Sequence, residues 1–308
     1  MSATPGEPRA FTFLVNPSSG GGAAPEAVVP VARLLRAGGA TVDVTYSPGP
    51  HAMVEMVDQA VGRGDVVVSV GGDGMLSSLA GLVSERDGVL GVLPAGRGND
   101  FARMLGLPED AEGQARLLLG GAVRRVDLIA VAGLGAARRV VAGSVYAGVD
   151  ARATEIVDRA TWLPRRLQYP YAALRSLATY QAGRYVVAVD GIEHTYTAAT
   201  VVVANSGYYG SGMKIAPAAS VEDGRLDVVV IEAASRVALM RSLPKVYDGS
   251  HVALPEVTVL TGTRVELRGT SRSAIPVGGD GEPLGPLPAL DSTPATVEVL
   301  PGALAVLA

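Results

Sequence analysis

Cysteine is absent from this 308-residue chain. That excludes disulfide frameworks, thiolate zinc sites and cysteine nucleophiles together, and it suits a cytosolic protein. Lysine is nearly absent as well: of 26 basic residues only Lys214 and Lys245 are lysines, so positive chemistry falls to arginine. No stretch approaches the ~18 uncharged apolar residues of a membrane-spanning helix. The start, Met1–Arg9, is polar and Pro-rich with no positively charged lead into an apolar block, so no secretory signal is expected. Charged residues make up 18% of the chain, and a formal net charge of −4 argues against a nucleic-acid partner. What is plentiful is apolar residues, at 48%, and glycine, at 39 residues. Such a chain is too apolar for disorder, its glycines lack the three-residue period of collagen, and its length suggests two domains.

The first 130 residues alternate between two periods. Ala10–Val15, Thr41–Thr45, Asp65–Val70 and Val89–Leu93 read as strands, and Pro25–Ala37, His51–Val61 and Met75–Ser84 read as helices. Asp65–Val70 is apolar or β-branched almost throughout, as expected of a strand covered on both faces. Strand, Gly turn and helix in repetition predict a doubly wound, mostly parallel α/β sheet with its ligand-binding loops gathered at one edge. After Val123–Val131 the pattern turns to β-branched alternation. Arg184–Asp190 and Thr195–Ala204 flank Asp190-Gly191 as a hairpin, and Leu226–Glu232, Glu256–Leu260, Thr263–Arg268 and Ala274–Val277 read as further strands of an antiparallel, sandwich-like domain. One helical interruption spans Ala151–Gln181, Pro283–Pro294 reads as a connector, and Ala295–Ala308 as two short apolar segments. The domain boundary is expected near Arg124–Asp127, with 1–126, completed by 290–308, as the first domain and 127–289 as the second.

Three Gly-rich loops carry the chemistry. Gly71-Gly72-Asp73-Gly74 follows a buried strand and opens a helix, so backbone N–H groups can approach a phosphate at a helix N-terminus. An acidic residue in such a cradle suits a magnesium-bound nucleotide; the alternative is a tight turn with Asp73 as a helix cap. Gly96-Arg97-Gly98-Asn99-Asp100-Phe101-Ala102-Arg103 follows the next strand, and two such loops at one edge converge on one place. Asn99 and Asp100 can cap the helix or bond a ligand, while Arg103 can reach back towards phosphate. Asn16-Pro17-Ser18-Ser19-Gly20-Gly21-Gly22 follows the first strand without the Lys of a Walker A loop. No stretch fits the dinucleotide fingerprint, and Gly207–Lys214 has the wrong spacing for a P-loop.

In this order, and together with Asp223-Gly224 and Gly279-Asp280-Gly281-Glu282, the motifs resemble those of the bacterial diacylglycerol kinase family of lipid kinases, from Phe13 to about Leu284. The first two loops would be shared with NAD kinases and phosphofructokinases; the Gly-x-Gly-Asn-Asp-Phe loop and the late Asp-Gly-Glu are those of the lipid-kinase branch. The resemblance implies ATP and Mg2+, with phosphate passed to the hydroxyl of a membrane lipid, diacylglycerol first among the candidates. Sphingoid bases, ceramides and glycolipids share nearly every motif, and an NAD kinase or a non-catalytic nucleotide-binding protein are the other readings. By the same similarity, nucleotide contacts fall on Asn16–Gly20 (Asn16, Pro17, Ser18, Ser19 and Gly20), Thr45, Gly71, Gly72, Asp73, Gly74, Ser77 and Arg97, with Asn99 and Arg103 alongside.

Glu282 matches the family's general base, for which partial burial is expected to raise the carboxyl pKa; read alone, Asp280-Gly281 would be a type I′ turn with Glu282 exposed. Ser220, Asp223 and Arg225 match a structural magnesium site, Ser220 and Arg225 through backbone carbonyls, with Asp100 and Asp127 linked to it by water. The family usually has Thr at the positions of Met75 and, often, Arg97. A membrane lipid as substrate implies peripheral contact with a membrane surface, and a homodimer is common among similar proteins. His51, His194 and His251 lack ligand spacing. Trp162, Pro164, Arg165, Arg166 and Tyr169 form an aromatic and basic segment that could meet anionic lipid, although a helix boundary with solvated arginines is the commoner case. Tyr171, Leu174, Leu177 and Ala178 have the helical spacing of core residues.

Overall fold

A computed structural model describes residues 9–22, 24–46, 50–135, 137–160 and 162–308. The side chains of residues 50, 51, 155, 158, 159, 165, 166, 169 and 170 lie outside that description, and with them the sequence readings for His51, Arg165, Arg166 and Tyr169. The chain divides into two compact units. The first ends at Val126 and regains Gly302–Ala308; the second is Asp127–Pro301.

The first unit is α/β. Its elements are β1 (Ala10–Val15), α1 (Ala24–Ala37), β2 (Thr41–Tyr46), α2 (Pro50–Arg63), β3 (Val66–Gly71), α3 (Asp73–Ser84), β4 (Val89–Pro94), α4 (Asp100–Met104) and α5 (Ala111–Gly120), with β5 (Val123–Ala132) leading out. Strands β2, β1, β3 and β4 lie side by side in that order, all parallel, and the last residues of the chain add a parallel neighbour to β4 (Ala305 opposite Val89). Helix α1 shows how sequence dictates element. Ala24, Val28, Val31, Ala32 and Leu35 form one buried face, Glu26 and Arg36 sit at the dipole-favoured ends, and Gly39 (φ +87°) ends it with its N–H on the Arg36 carbonyl. That face joins Phe11, Phe13, Val68, Val70, Leu93 and Leu118 in a core. Because the chain leaves β1 towards β2 and then returns to β3 on the other side, the connections diverge beyond the carboxyl ends of β1 and β3. Open parallel sheets bind ligands at such a switch point.

The second unit is β-rich and antiparallel. It comprises β6 (Arg139–Val141), β7 (Ser144–Gly148), α6 (Val149–Arg159), α7 (Arg165–Thr179), β8 (Gly183–Val189), β9 (Ile192–Ala204), β10 (Leu226–Glu232), α8 (Arg236–Asp248), β11 (Val257–Gly262), β12 (Arg264–Thr270), β13 (Pro276–Gly279), β14 (Glu282–Pro286) and β15 (Ala295–Leu307). The strand order is β14-β13-β7-β9-β8-β12-β15, with β10 between β9 and β11. Val187, Val201, Val203, Val228, Val230, Val265 and Val297 build its core. The β8–β9 turn is Asp190-Gly191, both at positive φ (+47° and +85°), the backbone of a type I′ hairpin.

Four features differ from the sequence expectation. The Ala151–Gln181 interruption is two helices, parted around Pro164, where the residue before proline is pushed out of helical geometry. The Pro283–Pro294 connector begins as β14, which among the described residues is an edge strand paired with β13 alone, where missing proline donors are tolerated. Residues 295–307 form one strand rather than two segments. Its first residues pair with β12 and its last with β4, across a Gly302 at φ +55°. On α7, Leu177 is buried, but Leu174 is 53% exposed and Ala178 is exposed. The covered face is Ala172, Ser176, Leu177 and Tyr180, one step around the helix. Helices α5 and α8 lie outside the elements expected from the sequence; Pro244 sits within α8.

Candidate active site

In the first unit three loops meet at the carboxyl edge of the sheet. Parallel pairing of β3 with β4 sets Gly71 opposite Pro94, so the turns that follow are neighbours, and the Ala95 N–H donates to the Gly71 carbonyl at 2.9 Å. Beyond them the backbones touch. A Cβ on Gly96 would lie 2.3 Å from the Gly72 Cα, so glycine is required at position 96 for the loops to pass. The β1 loop joins from the other side: the Asn16 N–H donates to the Val70 carbonyl (3.0 Å), and Ser19 Oγ donates to the Ala95 carbonyl (3.3 Å). Asn16 Oδ1 accepts the Ser18 N–H, and Gly20 sits at φ +55° in a short 3-10 turn, with Pro17 and Ser18 exposed. Thr45 lies near the end of β2, opposite Leu14 and two positions before Asn16 on the adjoining strand.

Asp73 is the first residue of α3, but the N-cap position belongs to Gly72, which has no side chain to cap with. The Asp73 carboxylate instead accepts the Phe101 N–H (3.2 Å), tying the β3 loop to the start of α4. A Cβ on Gly98 would meet both Asp73 Oδ2 (2.9 Å) and Asp100 Oδ2 (3.0 Å), so two carboxylates border that glycine. Asn99 is left-handed (φ +53°), and its Oδ1 accepts the Gly96 N–H (2.8 Å) rather than capping the helix. Arg103 pairs with Asp100 at 2.8 Å and also donates to the Gly98 carbonyl (3.3 Å). Arg97 is exposed, Ser77 is a buried residue of α3, and Gly74 follows Asp73 in the helix. The Met75 side chain folds back over Gly71, its sulfur 3.0 Å from where a Cβ there would be.

In the second unit, Asp280 (φ +45°) and Gly281 (φ +88°) turn β13 into β14. Glu282 follows and is exposed, not partly buried as the sequence reading expected, because β14 is an edge strand. The turn itself is fixed. Asp280 Oδ2 accepts the N–H groups of Ala142 and Gly143 and its Oδ1 that of Ser144, all at 2.9 Å, while the Gly281 N–H donates to Tyr146 Oη (2.9 Å).

The same segment reaches the loop that holds Asp223. Asn205 is fully buried, and its Nδ2 donates to the carbonyls of Asp127 (2.8 Å) and Ala142 (2.9 Å). Asp127, also buried, accepts the Gly224 N–H at 2.7 Å, and its own N–H donates to the Val221 carbonyl. Asp223 Oδ1 accepts the Arg225 N–H (3.0 Å), and Ser220 Oγ the Glu222 N–H. The neighbouring Asp227 carboxyl is raised above its ordinary pKa, first by burial and also by Asp223, against a downward pull from Thr261. Carbonyls of Ser220 and Arg225 with the Asp223 carboxylate would make an all-oxygen donor set, of the kind that suits a hard divalent cation. Among the described residues no three His, Asp or Glu side chains converge on one point, so carbonyls and water would supply most of the shell.

Tyr146 and Asn205 were not singled out from the sequence, and Asp280 was read only as a residue of the turn before Glu282. Their partners lie on other elements, and nothing in local spacing signals them. Of the described histidines, His251 is buried with Nε2 at 3.1 Å from the Ile215 carbonyl, and His194 stacks on Tyr196.

Comparison with known proteins matches both units. Residues 10–131 match the diacylglycerol kinase catalytic domain, and residues 143–308 match the YegS C-terminal NAD kinase beta sandwich-like domain. A diacylglycerol kinase of Mycobacterium tuberculosis is 32% identical over 294 residues, covering 94% of each chain. A probable lipid kinase YegS of Salmonella arizonae is 25% identical, covering 85% of this chain and 84% of its own. The crystal structure of a diacylglycerol kinase from Bacillus anthracis superposes with a TM-score of 0.68 over 99% of this chain and 98% of that one, at 17% identity, which speaks for the fold. The glycine loops, the Asp-Gly-Glu turn and these matches agree: the chain belongs to the diacylglycerol kinase family of lipid kinases.

Proposed function

We propose that this enzyme transfers the γ-phosphoryl group of ATP to the hydroxyl of a membrane lipid, with diacylglycerol as acceptor and phosphatidic acid as product. The observation that carries the reading is the backbone contact of Gly72 with Gly96 at the carboxyl edge of β3 and β4, which leaves glycine-lined amides where a polyphosphate can lie. Asn16–Gly20, Thr45, Gly71–Gly74 and Ser77 would contact the nucleotide, with Arg97, Asn99 and Arg103 beside it. Arg103 would exchange part of its pairing with Asp100 for phosphate. Glu282 accepts the proton of the lipid hydroxyl as its oxygen forms the new bond to Pγ and the bond from Pγ to the β-phosphate oxygen breaks, releasing ADP.

Phosphoryl transfer asks mainly for position and charge compensation. The clamps on Asp280 and Gly281 supply position to Glu282. When bound, Mg2+ would neutralise phosphate charge beside Asp73, and a second, structural ion would be held by Asp223 with the Ser220 and Arg225 carbonyls, Asp100 and Asp127 acting through water. A lipid acceptor makes the working location the cytoplasmic membrane surface, reached peripherally. Among the described residues no helix is long and apolar enough to cross a membrane.

The test is direct. The chain is incubated with labelled ATP, magnesium and a panel of lipid alcohols, with NAD in a parallel reaction. Label in phosphatidic acid supports the proposal. Label only in a sphingoid, ceramide or glycolipid product moves the acceptor, and label in NADP alone, or ATP binding without transfer, overturns it.

A further inference from the structure

Helix α7 turns an apolar stripe to solvent. Leu167, Tyr171, Leu174 and Ala178 recur at i, i+4, i+7 and i+11, one face of a helix. Leu167 is 47% and Leu174 53% exposed, and Tyr171 and Ala178 are also accessible. Just before the helix stands Trp162, the single tryptophan, 71% exposed, its ring meeting Tyr171 edge-on at 5.7 Å between centroids. The unit's own core does not need these side chains, since α7 already buries its opposite face against α6 and α8.

The stretch of sequence that carries the stripe is basic. Between Asp158 and Asp190 the chain has no acidic residue but has Arg159, Arg165, Arg166, Arg175 and Arg184, although acids outnumber bases 30 to 26 overall. Arg175 donates to Tyr171 Oη, and its guanidinium lies 5.9 Å from that ring's centroid. Helix α8, whose Leu239 packs with Leu177 and Tyr180, exposes Arg236, Arg241 and Lys245. A second copy paired on this face by a two-fold axis would bring basic flank against basic flank. An anionic bilayer accepts both parts: tryptophan and leucine enter the headgroup boundary, and arginines meet lipid phosphates.

We infer that this face of α7, with Trp162, is the docking surface for an anionic lipid bilayer. The inference deepens the lipid-kinase reading and takes its purpose from it. Helix α7 packs along α6, and α6 against β7, β13 and β14, so the docking face stands one helix away from the hairpin that bears Glu282.

The test is co-sedimentation of the full chain with phosphatidylcholine vesicles containing phosphatidylglycerol, against phosphatidylcholine alone. The wild-type chain should bind the anionic vesicles preferentially, and less as salt rises. A Leu167→Gln/Leu174→Gln variant, matched in far-UV circular dichroism and sedimentation velocity, should partition about tenfold less, or about 1.4 kcal/mol. Trp162→Ala should weaken partition independently. Phosphorylation of diacylglycerol in vesicles should fall in step, and phosphorylation in detergent micelles should not. The inference is overturned if wild type ignores anionic vesicles, if the double variant binds them undiminished, or if that variant instead loses self-association while its vesicle binding persists. If partition follows the stripe but no lipid is phosphorylated in either format, the docking surface stands and the kinase reading fails.

Discussion

Substituting Gly96 by alanine perturbs the proposed nucleotide cradle with one methyl group. Gly96 has no positive φ, so alanine fits its backbone, and the conflict is purely one of space. The new Cβ would lie 2.3 Å from the Gly72 Cα, 3.1 Å from the Gly72 nitrogen and 2.9 Å from Asn99 Oδ1. All but the last are backbone atoms, so no side chain can swing away. Restoring ordinary contact, which begins at 3.4 Å, opens the two loops by roughly 1 Å. Misplacement on that scale costs about a hundredfold in rate where catalysis rests on positioning, so kcat/KM for ATP should fall by about 10²-fold. Overpacking should cost stability only about 1–3 kcal/mol. Steady-state kinetics with labelled ATP and thermal unfolding read the two effects separately. Gly62→Ala is the control: it meets nothing within 4 Å, lies within α2, and should stabilise by about 0.5–1 kcal/mol without touching turnover. If Gly96→Ala keeps kcat/KM within about threefold of wild type, the contact does not shape the site and the reasoning fails.

Three further outcomes follow from particular groups. Asp280→Ala strands the buried N–H groups of Ala142, Gly143 and Ser144; stability should fall by roughly 2–4 kcal/mol in denaturant titration, and kcat should fall more than the affinity for ATP. Asp150 is half-buried, and desolvation raises its carboxyl pKa above the ordinary value of 3.8 despite hydrogen bonds from Thr200 and Tyr209. A raised folded-state value means its contribution is complete below 3.8 and is lost as pH climbs through the folded value, so Asp150→Asn should flatten that decline in unfolding free energy against pH. His251 is the opposite case: burial depresses its pKa below 6.5 against the upward pull of the Ile215 carbonyl. Its contribution is present above 6.5 and lost as pH falls through the folded value, so stability should drop on acidification, and His251→Gln should remove that part of the slope.

The parallel sheet was legible because Val66–Gly71 and Val89–Pro94 are buried strands ending in glycine turns, a pattern few other arrangements satisfy. The Asp190-Gly191 hairpin was legible because its turn needs two positive φ values. Motif order placed two glycine loops at one edge; the register of β3 against β4 then decided that Gly72 and Gly96 touch, a fact no single strand contains. The fate of Asp73 was hidden for a similar reason, since its partner, the Phe101 N–H, comes from the next βα loop. Asp280 read as a turn residue, and only folding brought residues 142–144 to its carboxylate. On α7, periodicity grouped Tyr171, Leu174, Leu177 and Ala178 as core, yet only Leu177 is buried, because periodicity says nothing about which face is covered. Only the packing of α6 and α8 decides that. Glu282's exposure follows from β14 being an edge strand, which its prolines allowed and did not announce.

The central claim is that the Glu282 carboxylate takes the acceptor proton while the groups at the carboxyl edge of the first unit's sheet hold the nucleotide. It is tested most directly by Glu282→Gln, measured for ATP affinity by calorimetry and for labelled phosphate transfer to diacylglycerol. The account predicts ATP affinity within about twofold of wild type and transfer reduced by about 10²-fold or more, the range for removing a general base. Transfer that persists at the wild-type rate would contradict it.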